Sequence, residues 1–258
     1  MGGRVIALSP AIPIAWRAQV GRYSQGGPVA TTKELICLAN SRKHNGRCIA
    51  GIDVESNAWV RPVSSRPTHE VSESERQYWD GAEPRILDVV SVRLLRPKRL
   101  GFQTENWLLD PSSQWVKQGR IGWGRLCRLE QKTKRLWINS EDSTRKGLND
   151  RVSVEQVFAL MNSLKLIRVS AVTIEVDRPY DANRELEVRA KFRHEGSTYI
   201  LKVTDAVYEE RFRALGVGSY ELAESFLTVS LGEEFKGHFY KMVAAIIERR
   251  TTEPGSDR

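Results

Sequence analysis

The sequence predicts a mainly β fold with a few short helices, organised as two small antiparallel β-barrels in tandem. Each half of the chain contains several short apolar runs rich in β-forming residues, and turn residues separate those runs at hairpin spacing. Helical patterns are short and do not alternate regularly with strands, which disfavours a doubly wound α/β fold. The 258 residues fit one large domain or two domains of about 100–150 residues each, and the repeated pattern favours two.

The first half contains the elements of one barrel. A hairpin is predicted from residues 34–39 and 47–54, two apolar runs that flank a polar loop in which Asn45-Gly46 is expected to supply positive φ angles. The capping-box pair Ser72 and Glu75 predicts a short helix over 72–79. Further strands are predicted over 58–63, 86–95 and 134–138.

The second half repeats this pattern. A helix is predicted to begin at the capping-box pair Ser153 and Gln156, and Asp205 is predicted to cap another helix that ends at Gly216. The predicted strands cover 166–176, 186–192, 198–203, 226–231 and 240–247. Short strands with one inserted helix are typical of an OB-type barrel, so each half is predicted to form an OB-like antiparallel barrel.

These patterns divide the chain into four parts. Residues 1–32, rich in Gly, Pro and Ala, are expected to be a weakly ordered leader. The first OB-like domain is assigned to 33–150 and includes a basic, tryptophan-containing extension. The second is assigned to 151–248, after the polar, turn-rich segment 139–150, and 249–258 is expected to be a frayed tail.

Four segments resemble the bacterial dual OB-containing domain family. They read ICLANSRKHNGRCIAGID, WVRPVS, YILKVTD and LTVSLGEEFKGHFYKMVAAII. The resemblance extends over residues 33–248 and implies two OB-type barrels in tandem, in a prokaryotic defence setting. It carries no catalytic motif onto these positions, and the stretch before Lys33 departs from the family's pattern.

Positive charge is concentrated in the first half. The whole chain carries a formal charge of +8, and residues 85–135 alone contain twelve Lys/Arg and four acids, with tryptophans among them. Cations that displace phosphate counterions and aromatic faces that stack on bases are the ingredients of nucleic-acid binding. Core packing is the alternative role for the tryptophans. The predicted nucleic-acid-binding residues are Arg42, Lys43, Arg47, Arg61, Arg96, Lys98, Arg99, Trp107, Arg120 and Trp123.

The segment SLGEEFKGHFYK, residues 230–241, is a second candidate site. In an OB-like barrel it would join the two last strands and border the binding face. The candidate ligand-loop residues are Glu234, Lys236, His238 and Lys241, and an ordinary hairpin loop is the alternative.

Other function classes are less favoured. Three sparse cysteines argue against a disulfide scaffold and for a reducing, cytoplasmic setting. A thiol or metal site from Cys37, Cys48 and His44, and a metal-dependent nuclease using Asp53 and Glu55, stay open as weaker alternatives. No metal or cofactor is predicted, and no apolar run approaches the length of about 20 residues that spans a membrane.

We therefore predict a non-enzymatic protein that binds nucleic acid, either DNA or RNA. The alternative is an accessory subunit whose barrels bind a partner protein or a signalling nucleotide in a defence assembly.

Overall fold

The computed structural model describes residues 30–43, 45–139, 142–179, 181 and 183–249. His44, most of the predicted leader and nearly all of the predicted tail lie outside the described residues. The described chain folds into two β-sheets, one from each half, with four short helices. None of these four helices is long and apolar enough to cross a membrane.

The first sheet contains a closed five-stranded barrel. Its strands are β1 (Thr31–Lys43), β2 (Gly46–Asp53), β3 (Trp59–Val63), β4 (Asp88–Pro97) and β5 (Asn106–Leu109), with helix α1 (Glu73–Arg76) between β3 and β4. They are hydrogen-bonded in the order β1-β2-β3-β5-β4, and β4 pairs with β1 to close the barrel. A sixth strand, β6 (Val116–Arg120), pairs with β4 and leads to helix α2 (Trp123–Arg128).

The second sheet repeats the strand order of the first barrel when its two bent strands are each counted as one. It is formed by β7 (Arg151–Ser153), β8 (Leu164–Val169), β9 (Val172–Asp177), β10 (Glu187–His194), β11 (Ser197–Val203), β12 (Gly218–Leu222), β13 (Ser225–Phe235) and β14 (His238–Glu248), with helices α3 (Val154–Val157) and α4 (Ala206–Leu215). Only two residues separate β8 from β9, and only two separate β12 from β13. β8 and β9 are therefore the halves of one bent strand, and β12 and β13 are the halves of another. The two bent strands pair with each other, β8 with β13 and β9 with β12, so the sheet closes on itself.

The predicted fold class is confirmed, with two differences in detail. Each barrel contains one parallel pair, β3 with β5 and β11 with β14, so the barrels are not purely antiparallel. Residues 134–138 form no strand. Instead, Leu136 packs into the second core and its amide donates a hydrogen bond to the Tyr199 hydroxyl.

The predicted helix signals have different outcomes. The capping box of Ser72 and Glu75 is present at α1, and the Asp205 side chain accepts hydrogen bonds from two amides at the start of α4. Ser153 lies at the start of α3, but its side chain makes no cap hydrogen bond.

The expectation of a positive φ at Gly46 is wrong. Gly46 begins β2 with ordinary extended backbone, and an added Cβ would lie 2.7 Å from the Val71 carbonyl oxygen. Glycine is required here because the segment before α1 crosses β2 closely, with reciprocal amide–carbonyl bonds of 2.9 Å between Arg47 and Val71.

The two barrels share a buried interface. One apolar cluster combines Ile36 and Leu38 of β1 with Phe226 and Ile247 of the second barrel. A second consists of three alanines, Ala39, Ala50 and Ala244, together with Leu164. Small side chains at this contact allow β1 and β14 to approach closely, so the interface resembles a continuous core.

Candidate nucleic-acid interface

A groove of about 1860 Å³ runs between the two barrels. Its first wall is formed by residues 82–87 before β4, by β6 and by the start of α2. Its second wall is formed by the start of α4 and the end of β14. The groove therefore depends on both halves of the chain.

Basic side chains outnumber acidic ones in the groove lining. Three acids, Glu83, Asp205 and Glu248, belong to the lining. The six basic residues are Arg47, Arg85, Lys117, Arg120, Arg211 and Arg249. Six minus three leaves a formal excess of three positive charges, which favours a polyanion.

Asp88 positions two of these cations. Its fully buried carboxylate lies 2.9 Å from Lys117 Nζ and 3.1 Å from Arg120 Nη1. The same carboxylate accepts a hydrogen bond from the Arg85 amide at 3.1 Å. Because two cations share one carboxylate, this cluster keeps a net positive charge on the groove wall.

Arg47 and Arg85 add charge without a counterion. Neither side chain makes an ion pair with any residue that the structure describes. Burial, followed by the neighbouring charge of Arg76, lowers the pKa of Arg47. Burial disfavours the charged guanidinium, and the charge of Arg76 acts in the same direction.

The acidic residues of the groove are already engaged. Glu83 accepts a 2.7 Å hydrogen bond from Arg76, and Glu248 lies 2.7 Å from Arg211. The Asp205 carboxylate accepts hydrogen bonds from the amides of Val207, Tyr208 and Ile246. Each negative charge therefore has local partners, which reduces its repulsion of a bound phosphate.

Two tryptophans lie at or near the groove. Trp123 lines it but is half-buried, with its ring edge-on to Phe226 at 5.1 Å between centroids. Trp79 is 83% exposed, in a tight turn closed by a 3.0 Å hydrogen bond from the Gly81 amide to the Tyr78 carbonyl. The chain continues from this turn directly into the groove wall at residues 82–87.

The predicted binding residues of the β1–β2 hairpin separate into two groups. Arg47 lines the groove, as do Arg120 and Trp123 from the basic segment. Arg42 instead lies 3.3 Å from Glu209, and Lys43 lies 2.5 Å from Glu233. Both of these acids belong to the second barrel, so these two cations link the barrels.

Arg61 has a similar interdomain position. The residue is only 5% exposed, and its Nη2 lies 3.2 Å from Glu105 Oε1 within the first barrel. Nη2 also donates a 2.8 Å hydrogen bond to Ser163, before β8. A buried arginine with these partners is part of the contact between the barrels.

The other predicted residues lie outside both groups. Arg96 and Arg99 are exposed at the end of β4 and beyond, away from the groove lining. Lys98 Nζ lies 3.2 Å from His69 Nδ1. Trp107 is half-buried on β5, with Lys33 Nζ 5.3 Å from its ring centroid. The basic segment 85–135 therefore converges on the groove only in part.

The candidate ligand loop is mainly a two-residue hairpin turn. β13 continues through Glu234, and the turn consists of Lys236 and Gly237, both at positive φ. His238 Nε2 lies 3.0 Å from Asp142. Lys241 is 1% exposed and donates to the Ile138 carbonyl oxygen at 2.6 Å. The four candidate residues do not converge on one pocket.

Several groove residues were not selected from the sequence. Arg211 and Arg249 come from the second half, and their approach to the first barrel depends on the tertiary fold. Lys117 and Arg85 were counted in the basic segment but not singled out. Trp79, which lies beside the groove, could have been predicted to be exposed. Asp80 and Gly81, which follow it, are typical turn residues.

The geometry of the described residues does not favour a thiol, metal or nuclease site. Burial, followed by the charge of Asp88, raises the pKa of Cys37 to about 12, which disfavours a thiolate nucleophile at neutral pH. Asp53 is buried and held by Lys33 at 2.7 Å. Among the described residues, no group of three or more His, Cys, Asp or Glu side chains is arranged to hold a metal ion.

Comparison with protein families identifies the family of the chain. The family model for the dual OB-containing domain matches residues 33–246, which includes most of both barrels. No curated protein and no solved structure is significantly similar to the chain.

Proposed function

Since the chain belongs to the dual OB-containing domain family, we propose that it is a non-enzymatic binding protein whose ligand is nucleic acid. The fold alone does not establish this, because OB-type barrels have many ligands. The main support is the inter-barrel groove, whose lining contains six basic residues and three acids.

In this proposal the groove holds the phosphate backbone. Lys117 and Arg120 lie on one wall, held by the shared carboxylate of Asp88. Arg47 and Arg85 line the groove as well, and neither makes an ion pair with a described acid. Each phosphate contact releases condensed counterions, so log Kd should depend on log salt with a slope of about 0.7–0.9 per contact.

The direct test is fluorescence anisotropy with labelled 20-nucleotide single strands and duplexes of DNA and RNA, titrated from 50 to 300 mM KCl. The double variant Arg47→Gln/Arg85→Gln removes two groove charges without unbalancing a buried carboxylate. We expect weaker binding and a salt slope lower by about 1.5.

The matched control is Arg96→Gln/Arg99→Gln, which removes the same charge from exposed positions outside the groove lining. This variant should keep the slope of the parent protein to within about 0.5. A salt-independent affinity, or an equal loss in the two double variants, would contradict binding in the groove.

A partner protein is the second candidate, in the role of an accessory subunit of a defence assembly. Phe158 is 81% exposed and Met161 is 72% exposed, three positions apart in the chain after α3. Large apolar side chains exposed near one another in the chain are candidates for a protein contact. Phe158→Ser/Met161→Ser should release a stoichiometric partner that co-purifies from the native cell. Retention of that partner by the variant would argue against this surface.

A further inference from the structure

A smaller cleft of about 230 Å³ lies on the covered face of the first barrel. OB-type barrels bind ligands on the face of their second and third strands, between the neighbouring loops. Here that face contributes Cys48 of β2 and Arg61 of β3, and the second barrel closes over it with residues 230–233 and Met242. The cleft is distinct from the basic groove, with which it shares no lining residue.

One wall of the cleft is a buried polar network. Arg61 Nη1 donates to Asn106 Oδ1 at 3.2 Å, and Asn106 Nδ2 donates to Gln103 Oε1 at 3.2 Å. All three residues are at least nine-tenths buried. Arg61 Nε has no acceptor among the residues that the structure describes. A buried donor without an acceptor is costly, so this network is incompletely satisfied within the protein.

His69, another lining residue, has a constrained backbone. Its φ angle is 61°, in the left-handed region that residues other than glycine seldom adopt. The conformation is held by the 3.3 Å hydrogen bond from the Ser64 amide to the His69 carbonyl oxygen. Unfavourable backbone conformations of this kind cluster at binding sites.

The two barrels meet again where the cleft reaches solvent. Lys43 and Glu233 both line it, and their side chains are 21% and 51% exposed. Their ion pair of 2.5 Å is therefore partly solvated, and partly exposed pairs of this kind contribute little to stability. An incoming anion can replace Glu233 as the partner of Lys43.

We propose that this cleft binds a small organic anion with an apolar or planar body and a single phosphate or carboxylate. The volume equals that of about eight water molecules, which suits a body no larger than a nucleoside. Pro62, Val63, Leu100 and Met242 provide apolar contact, and Arg61 and Gln103 provide donors. The anionic group lies near Lys43. The site does not depend on nucleic-acid binding in the groove.

Thermal shift and calorimetry with two ligand panels would test this assignment and distinguish the anion. One panel contains the 5′-nucleoside monophosphates, and the other contains benzoate and indole-3-acetate. At least one ligand at 1–5 mM should raise the Tm of the full chain, since a ligand that binds only the folded state stabilises it. No rise in Tm and no binding heat with any member would overturn the proposal.

Two charge variants give opposite expected effects. Lys43→Gln and Glu233→Gln each remove the same ion pair, so a purely structural role would change both proteins alike. For anion binding, Lys43→Gln should weaken the affinity about three- to fivefold, and Glu233→Gln should strengthen it by a similar factor. Changes of the same sign in the two variants would refute the role of Lys43.

A cavity-filling variant locates the ligand. Leu100 is on a partly exposed loop of the lining, so Leu100→Trp fills the cleft without disturbing the buried network. It should abolish binding of the small anion, whereas Lys117→Gln in the groove should leave that binding unchanged. Full binding by Leu100→Trp would show that the ligand lies elsewhere.

Discussion

The hydroxyl of Thr228 in the second barrel donates a 2.6 Å hydrogen bond to the carbonyl oxygen of Leu38 in the first. Leu38 lies at an irregularity of the β1–β2 pairing, between Cys37 and Ala39, and it has no register partner on β2. Both Thr228 and Leu38 are fully buried. The second barrel thus satisfies a backbone group that the first barrel leaves unpaired, and this makes the two barrels one structural unit.

Thr228→Val should therefore destabilise the whole chain. The variant keeps the side-chain shape but leaves a buried carbonyl oxygen without a donor, which costs about 1–3 kcal/mol. Urea unfolding followed by circular dichroism should show one transition at a lower midpoint. Thr228→Ser retains the hydroxyl and should lose less stability. Two separate transitions in the parent protein would contradict the single-unit description.

Local signals allowed much of the fold to be predicted. The caps at Ser72 and Asp205 depend on residues two or three positions away, so the sequence contains all the information needed. The hairpins of each barrel are similarly local. The bond from Thr228 to Leu38 joins residues 190 positions apart, and no local pattern indicates it.

The candidate site was predicted only in part for the same reason. A count of charges identified the basic segment, but charge alone does not show whether a cation faces solvent or an acid from another domain. Arg42 and Lys43 looked like free cations of a loop, and they pair with Glu209 and Glu233 of the second barrel. Arg120 and Arg47 had the same sequence signal and line the groove.

Trp79→Ala should weaken binding of single strands more than of duplexes. The exposed ring stands on a turn fixed by Tyr78, whose buried hydroxyl lies 3.5 Å from the carboxylate of Asp88. A base stacked on an aromatic side chain contributes about 1–3 kcal/mol, so single-strand affinity should fall about tenfold. Anisotropy with matched single and double strands measures the difference.

Two further substitutions of Trp79 distinguish base stacking from general apolar contact. Trp79→Phe keeps an aromatic face and should retain most of the affinity for single strands, whereas Trp79→Leu should resemble Trp79→Ala. Trp79 does not contact the nucleic acid if Trp79→Ala binds single strands as tightly as the parent does while Arg47→Gln/Arg85→Gln still binds more weakly.

Gly46→Ala should destabilise the first barrel because there is no space for a methyl group. The new Cβ would lie 2.7 Å from both the Val71 carbonyl oxygen and Glu70 Cγ. Overpacking of this kind costs about 1–3 kcal/mol, measured as a lower urea midpoint. Gly119→Ala on β6 is the matched control, since its Cβ would meet nothing within 4 Å. Equal midpoints for the two variants would contradict this role of Gly46.

Lys241 should make stability rise with pH above neutrality. Burial lowers its pKa from 10.5 to about 7, with the nearby charge of Asp150 opposing the shift. Between these two values the unfolded chain holds a proton that the folded chain has lost, so the free energy of unfolding increases with pH. The increase approaches about 1.4 kcal/mol per pH unit in the middle of the window.

Urea unfolding of the parent and of Lys241→Met between pH 6.5 and 8.5 measures this contribution. The upper limit avoids the region above about pH 9, where the raised pKa of Cys37 makes stability fall as pH rises. The difference in unfolding free energy between the two proteins should grow in favour of the parent as pH rises. Lys236→Met, on the exposed turn of the same hairpin, should follow the parent's pH profile.

A pH-independent difference between Lys241→Met and the parent would show that the buried amine is protonated throughout. In that case its bonds to Ile138 and Asn139 would stabilise the charged form sufficiently to offset burial.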